Sequence, residues 1–93
     1  MSDNERLATQ IEDMAGAAYE AAVLAANAAA EMQNAEGLTP RVDALDAAIA
    51  SLALLKAELE GLARELRRDP SPERVEEIRA EALQIIRRFP RAN

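Results

Sequence analysis

The sequence predicts an all-α fold: an antiparallel up-down-up bundle of two long helices and one short helix, forming a single domain over residues 1–93. Apolar residues recur at steps of three and four through three segments, which is the heptad spacing of coiled coils and helix bundles. All 4 prolines lie between or after those segments. Because the intervening loops are short, consecutive helices are expected to run in opposite directions.

The first helix is expected over residues 3–35. Ser2 and Glu5 have the spacing of a capping box, in which each side chain accepts a hydrogen bond from a backbone N–H of the first turn. Gly37 can adopt the left-handed conformation that ends many helices. The apolar series that marks the packed face of this helix is Leu7, Ile11, Met14, Ala18, Ala21, Ala25, Ala28 and Met32.

The second helix is expected over residues 40–68. Thr39 is a suitable N-cap, and Pro40 stands at the first helical position, where its missing N–H removes no helical hydrogen bond. Asp69 precedes Pro70, and the residue before a proline avoids the α region, so the helix should stop there. Its apolar series is Leu45, Ala48, Leu52, Leu55, Leu59, Leu62 and Leu66.

The third helix is expected over residues 72–89, with Ser71 as its N-cap and Pro72 at its first position. Glutamates fill its first turns and arginines its last, which is the distribution that the helix dipole favours. Pro90 ends it. Its apolar series is Val75, Ile78, Ala82, Ile85 and Phe89.

The predicted helices differ in length, at roughly 50, 44 and 27 Å for about 1.5 Å per residue. The third helix therefore covers only half of the hairpin and leaves residues 21–35 and 39–54 without a third partner. The apolar arc widens in those same stretches, which indicates a surface for association. The residues expected at this interface are Ala21, Val23, Leu24, Ala25, Ala28, Met32, Leu45, Ala48, Ile49, Leu52 and Leu54.

Composition argues against several function classes. The chain has no histidine and no cysteine, and its carboxylates lie on polar helix faces, so we expect no catalytic residues, no metal site and no cofactor. A net charge of −6 disfavours nucleic acid and anionic lipid. The uncharged stretches fall short of the roughly 18 residues of a membrane span, and no secretory signal is recognisable. The expectation is a cytoplasmic protein that is not an enzyme.

The widened face favours a structural function. Small residues let helix backbones approach closely, so the expected partner is another helix, and a second copy of the chain is the simplest source of one. The sequence therefore predicts a homo-oligomer. The alternative is a binding module whose Ala-rich face takes a helix of a different protein or a small apolar ligand.

Two segments carry a resemblance of style. Residues 69–83, Asp-Pro-Ser-Pro-Glu-Arg-Val-Glu-Glu-Ile-Arg-Ala-Glu-Ala-Leu, and residues 37–41, Gly-Leu-Thr-Pro-Arg, resemble the loops and helix starts of de novo designed helical bundles. The resemblance implies a subunit built to assemble or a scaffold built to present a face. Gly16 and Gly61 inside helices depart from that style, as do ten arginines to one lysine. Those features fit a small natural accessory protein, such as a secretion or flagellar chaperone.

Overall fold

The computed structural model describes residues 2–37 and 42–90. Over these residues the chain forms three helices, α1 (Asp3–Ala35), α2 (Val42–Leu66) and α3 (Pro72–Ile86). The predicted all-α class and the division into two long helices and one short helix are therefore confirmed. The predicted cap Thr39 and the predicted first helical residue Pro40 lie outside the described residues.

Helix α1 begins and ends where its cap residues predict. The Glu5 N–H donates to the Ser2 side-chain oxygen at 3.2 Å, which forms the Ser2 half of the predicted capping box. At the other end, the Glu36 N–H donates to the Met32 carbonyl at 3.1 Å, and Gly37 has φ +80°. Glycine adopts this left-handed conformation without a steric penalty, so it ends the helix as predicted.

Helix α2 ends at Leu66, two residues before the predicted end at 68. The Arg68 N–H donates to the Glu65 carbonyl at 3.0 Å and the Asp69 N–H to the Leu66 carbonyl at 3.1 Å, so the last turn is tightened. Asp69 has φ 59°, a left-handed conformation that aspartate tolerates better than most residues. The Asn4 side-chain amide donates to the Asp69 carboxylate at 2.9 Å and attaches this loop to the start of α1.

Helix α3 ends at Ile86 and not at residue 89. The chain continues in tight turns, because the Arg88 N–H donates to the Ile85 carbonyl at 3.0 Å and the Phe89 N–H to the Ile86 carbonyl at 3.2 Å. These turns bring the Phe89 side chain into the core, where it is 5% exposed. The prediction followed the apolar spacing as far as Phe89, but the burial of that ring does not require a helical backbone.

Contacts between the helices show their directions. Arg67, directly after α2, donates to Glu12 of α1 at 2.6 Å, and further along the hairpin the Lys56 amine lies 5.3 Å from the centre of the Tyr19 ring. Residue numbers thus rise along α1 as they fall along α2, so the two helices are antiparallel. The described molecule is a rod with extents of 55 × 19 × 18 Å.

Helix α3 returns alongside the first part of α1. It begins next to the Asn4–Asp69 contact, and just beyond its end Arg88 approaches Glu58 of α2 at 3.8 Å. It therefore covers only one half of the α1–α2 hairpin, which we call the covered half. The other half, made of the described residues of 21–54, is called the hairpin end.

The core lies in the covered half. The largest fully buried side chains are Ile11, Leu59, Leu66 and Ile78, each less than 2% exposed. Within the described residues of the hairpin end, only Ala22 and Leu52 are buried, each with 5% of its surface exposed. The hairpin end thus removes less apolar surface from water than the covered half does.

The packed face of α1 differs from the predicted series in its second half. Ala21, Ala25, Ala28 and Met32 continue the heptad series but are exposed in the structure. Leu7 and Ile11, in the first half of that series, line a trough together with Ala82 of α3. The predicted series is therefore the side of α1 that faces α3, and it becomes uncovered because α3 ends.

Candidate functional site

A groove runs between α1 and α2 beyond the end of α3. It consists of two adjoining depressions of about 430 and 250 Å³ that share Ala26. We call it the hairpin groove. Its lining residues are Ala22, Ala25, Ala26, Ala29, Ala30 and Gln33 of α1, and Ala44, Leu45, Ala48, Ser51, Leu52 and Leu55 of α2.

Three large apolar side chains of the hairpin end are open to solvent. Leu24 is 69% exposed, Leu54 is 68% exposed and Met32 is 65% exposed. Leu24 directly precedes the lining residue Ala25, and Leu54 directly precedes the lining residue Leu55, so each leucine is rotated about 100° from its neighbour. Met32 lies two turns beyond Ala25 on the same side of α1. We call these three residues the rim. Together, groove and rim form an apolar surface of the kind that marks association sites.

The groove is closed at one end by the chain that follows α3. Arg88 and Pro90 line the depression that also contains Ala22 and Leu52. The larger depression therefore begins where α3 stops. Fifteen residues of helix, 21–35, extend past this point, which corresponds to roughly 22 Å. Among the described residues, no part of α3 covers α1 or α2 over that length.

Charge is confined to the two ends of this surface. Arg88 is the only charged side chain that lines the described groove; it is 61% exposed, and its neighbour Arg87 is exposed as well. At the opposite end Glu36 is the C-cap of α1, and no basic residue occupies the last turn of that helix. Since the carboxyl end of a helix is already partially negative, Glu36 adds to the negative charge at this end of α1.

The ion pairs of the structure serve the covered half and not this surface. Arg74 donates to Glu77 and to Glu81 at 3.0 Å each, and it binds both carboxylate oxygens of Glu65. These hydrogen bonds from Arg74 hold the pKa of Glu65 below its ordinary value. Hydrogen bonds from Arg67 likewise lower the pKa of Glu12. The Arg74–Glu65 pair joins α3 to α2, and the Arg67–Glu12 pair joins the end of α2 to α1.

A second apolar depression lies between α1 and α3. It has a volume of about 200 Å³, and its lining residues are Leu7, Ile11, Met14, Arg79, Ala82 and Leu83. Met14 is 42% exposed and Leu83 is 53% exposed. The exposure of Leu83 was not predicted, because it falls outside the apolar series of α3. Leu83 directly follows Ala82, a residue of the apolar series, and is therefore rotated about 100° from the packed side of α3. A large apolar residue at such a position was the signal in the sequence that could have identified this exposure.

The structure divides the predicted interface residues into three groups. Seven are exposed, namely Ala21, Leu24, Ala25, Ala28, Met32, Ala48 and Leu54. Val23, Leu45 and Ile49 are partly buried, and Leu52 is buried. Among the described groove-lining residues, the sequence prediction included Ala25, Leu45, Ala48 and Leu52 and missed the rest. The missed residues are Ala22, Ala26, Ala29, Ala30, Gln33, Ala44, Ser51 and Leu55.

Two searches of the described residues give negative results. No helix holds a stretch long and apolar enough to cross a membrane, and no three acidic side chains come together where they could hold a metal ion. Comparisons with protein-family models, with curated proteins and with solved structures give no match to this chain.

Proposed function

We propose that this chain is a structural subunit that associates with copies of itself through the hairpin groove and its rim. The observation that carries this proposal is the exposure of Leu24, Met32 and Leu54 around a groove that the subunit's own third helix leaves empty. Large aliphatic side chains gain free energy when they leave water. A partner over the groove would cover Met32, which lies on the side of Ala25, and would have to extend about 100° further round each helix to reach Leu24 and Leu54.

A second copy suits this surface because it presents the same alanine-lined face. Alanine ridges let helix backbones approach closely, so two hairpin ends can form one four-helix core. Isologous contacts of this kind are the commonest form of oligomer. The loop and cap style of designed bundles is consistent with assembly being the purpose of the chain.

The size of the surface sets the expected strength of association. A hairpin end about 22 Å long and about 19 Å wide has a footprint of roughly 400 Å² per copy. Two copies together then have a footprint of roughly 800 Å², which is below the about 1,200 Å² at which stable specific interfaces begin and corresponds to weak, transient association. We expect a dissociation constant on the order of micromolar.

The test is the solution mass measured by light scattering over a range of protein concentrations. We expect a concentration-dependent rise toward a multiple of 10.1 kDa. Ala25→Glu places a charge in the groove at an exposed position and should leave a folded monomer. Ala53→Glu is the matched control, because Ala53 is also exposed but lies about 140° around α2 from Ala48.

Circular dichroism shows whether each variant keeps its helical content. A wild-type protein that remains a monomer at high concentration would contradict the proposal. Equal dissociation by both substitutions would place the interface elsewhere on the hairpin end. An oligomer that tolerates Ala25→Glu would also exclude the groove.

The second candidate function is a binding module for a helix from a different protein. The groove continues the path of α3 and is almost free of charge along its length, which suits one amphipathic helix of about 15 residues. This candidate requires a wild-type monomer. It then predicts that an added amphipathic peptide binds the wild type and fails to bind Ala25→Glu.

A further inference from the structure

The two halves of the molecule differ in thickness as well as in cover. Helix α3 lies on the same side of the hairpin on which the groove opens, since Arg88 and Pro90 close one end of that groove. The covered half is thus thicker than the hairpin end by one helix, or about 10 Å. The side of the molecule that carries α3 therefore has a step in height, and Arg88 and Pro90 lie at the edge of that step.

This step restricts how two copies can meet face to face. If both copies pointed the same way, α3 would oppose α3 and would hold the two hairpin ends about 20 Å apart. If they pointed in opposite directions, each α3 would lie beyond the tip of the other copy, and the hairpin ends could touch. Only the antiparallel arrangement buries the groove of both copies.

Charge favours the same arrangement. In the antiparallel pair, the end of α3 in one copy, with Arg87 and Arg88, lies beside the tip of the other copy. That tip holds Glu36 at the negative end of α1, and the exposed acids Glu31 and Asp46 lie in the same region. Opposite charges therefore meet at both ends of the interface. In a parallel pair, acid would face acid and arginine would face arginine.

We propose that the chain forms a two-fold antiparallel dimer in which the Arg88 end of each α3 contacts the Glu36 tip of the partner copy. This inference rests on the proposed self-association and adds its partner geometry. The hairpin ends form the central four-helix segment, and one α3 flanks it on each side. The dimer then spans roughly 90 Å, compared with 55 Å for one copy.

The first test is the overall dimension and the salt response of the wild-type dimer. Small-angle scattering should give a maximum dimension of roughly 90 Å. The dissociation constant should rise several-fold between about 0.01 and about 1 M salt, where the Debye length falls from about 30 to about 3 Å. A compact dimer, or one that salt strengthens, would overturn the antiparallel arrangement.

The second test exchanges the charges. Arg88→Glu and Glu36→Arg should each weaken the dimer by about five- to tenfold at low salt. Each substitution is present in both copies, so it replaces an attraction by a repulsion at both ends of the interface. The doubly substituted chain, Arg88→Glu with Glu36→Arg, should regain wild-type affinity, since each arginine again faces a glutamate. In a parallel dimer each single exchange would only replace one pair of facing like charges by another, so neither Arg88→Glu nor Glu36→Arg would weaken it and the double exchange would have nothing to restore.

These results separate the two proposals. A dimer that Ala25→Glu dissociates but that the double exchange does not restore keeps the self-association and overturns the antiparallel geometry. A wild type that is monomeric at every salt concentration overturns both. Thermal unfolding of each variant identifies any loss of fold, and loss of the Arg88–Glu58 contact at 3.8 Å is expected to cost little because both side chains are exposed.

Discussion

The covered half and the hairpin end use the same two helices but are packed differently. In the covered half, α1 and α2 meet a third helix and bury large side chains such as Ile11, Leu59 and Ile78. In the hairpin end they meet only each other, and the residues between them are mostly alanines. Alanine allows close approach of the backbones but contributes little buried area. The subunit thus combines a completed core with a second half that is open to a partner.

Charge follows the same division. Every ion pair among the described residues involves the covered half or the end of α3, from Glu12–Arg67 to Glu58–Arg88. The long faces of the hairpin end have no charge over residues 21–30 and 47–55. Interfaces between proteins are depleted of charge at their centre and polar at their rim. The hairpin end therefore has the charge distribution of an interface, and the covered half that of a solvent-facing surface.

The largest expected difference between the halves is in the cost of truncating a leucine. Leu59→Ala removes a side chain that is 0% exposed and should lower the free energy of unfolding by about 2–5 kcal/mol. Leu54→Ala, at 68% exposure, should change it by less than about 0.5 kcal/mol. Urea unfolding of both variants measures this difference at a protein concentration where the chain is monomeric.

The same pair of variants should show the reverse order in association. Leu54→Ala removes a rim residue and should weaken the oligomer, whereas a folded Leu59→Ala chain should associate like the wild type. Similar unfolding free energies for the two variants would mean that the halves do not differ in packing as described.

Much of the fold could be predicted because its signals are local. Ser2, Gly37 and Ser71 fix helix ends through bonds and dihedral angles within a few residues, and these predictions are confirmed. The ends that were misplaced depend on contacts distant in sequence. Asp69 adopts its left-handed conformation in contact with Asn4, and Phe89 is buried in the core by the turns after α3.

The hairpin groove was harder to predict, because a run of alanines does not show which side of a helix packs against its neighbour. Ala21, Ala22, Ala25 and Ala26 are equally apolar, so the heptad series could be drawn through either pair. The structure places Ala22 in the core and Ala25 in the open, a choice set by where α2 and α3 lie. The charge-free stretch between Glu20 and Glu31 was a better guide, because it contains the alanines of α1 that line the groove, although it does not show which of them face α2.

A smaller contrast concerns glycine, where the same substitution should have opposite signs in the two halves. At Gly16 an added Cβ would meet nothing within 4 Å, so Gly16→Ala should stabilise α1 by about 0.5–1 kcal/mol through lower backbone entropy in the unfolded chain. Gly37 has φ +80°, and Gly37→Ala should destabilise the tip by about 1 kcal/mol. Thermal unfolding of the two variants gives the signs directly.

Gly61 is the matched control within the covered half. Its added Cβ would lie 3.8 Å from the Arg64 guanidinium, an ordinary contact, so Gly61→Ala should also stabilise. A destabilised Gly16→Ala chain would show that α1 and α2 need a glycine at their contact. A neutral Gly37→Ala would show that the tip does not depend on the left-handed turn.

The smallest expected effect is electrostatic and belongs to the covered half alone. Hydrogen bonds from Arg74 lower the pKa of Glu65 in the folded chain, so the ionised carboxylate stabilises the fold. This stabilisation is complete above the ordinary glutamate pKa of about 4.3 and is lost as the pH falls through the lower folded pKa. Glu65→Gln should therefore unfold more easily than the wild type at neutral pH, and the difference should close in acid.

The measurement is thermal unfolding against pH. It is made in the Ala25→Glu background, so that a pH dependence of the proposed self-association does not contribute. Glu60→Gln serves as the control, because Glu60 forms no ion pair among the described residues. Its difference from the parent chain gives the effect of replacing a glutamate outside the Arg74 cluster. A constant difference for Glu65→Gln at all pH values would mean that the Arg74 cluster acts by packing and not by charge. The two halves would then differ in buried area alone.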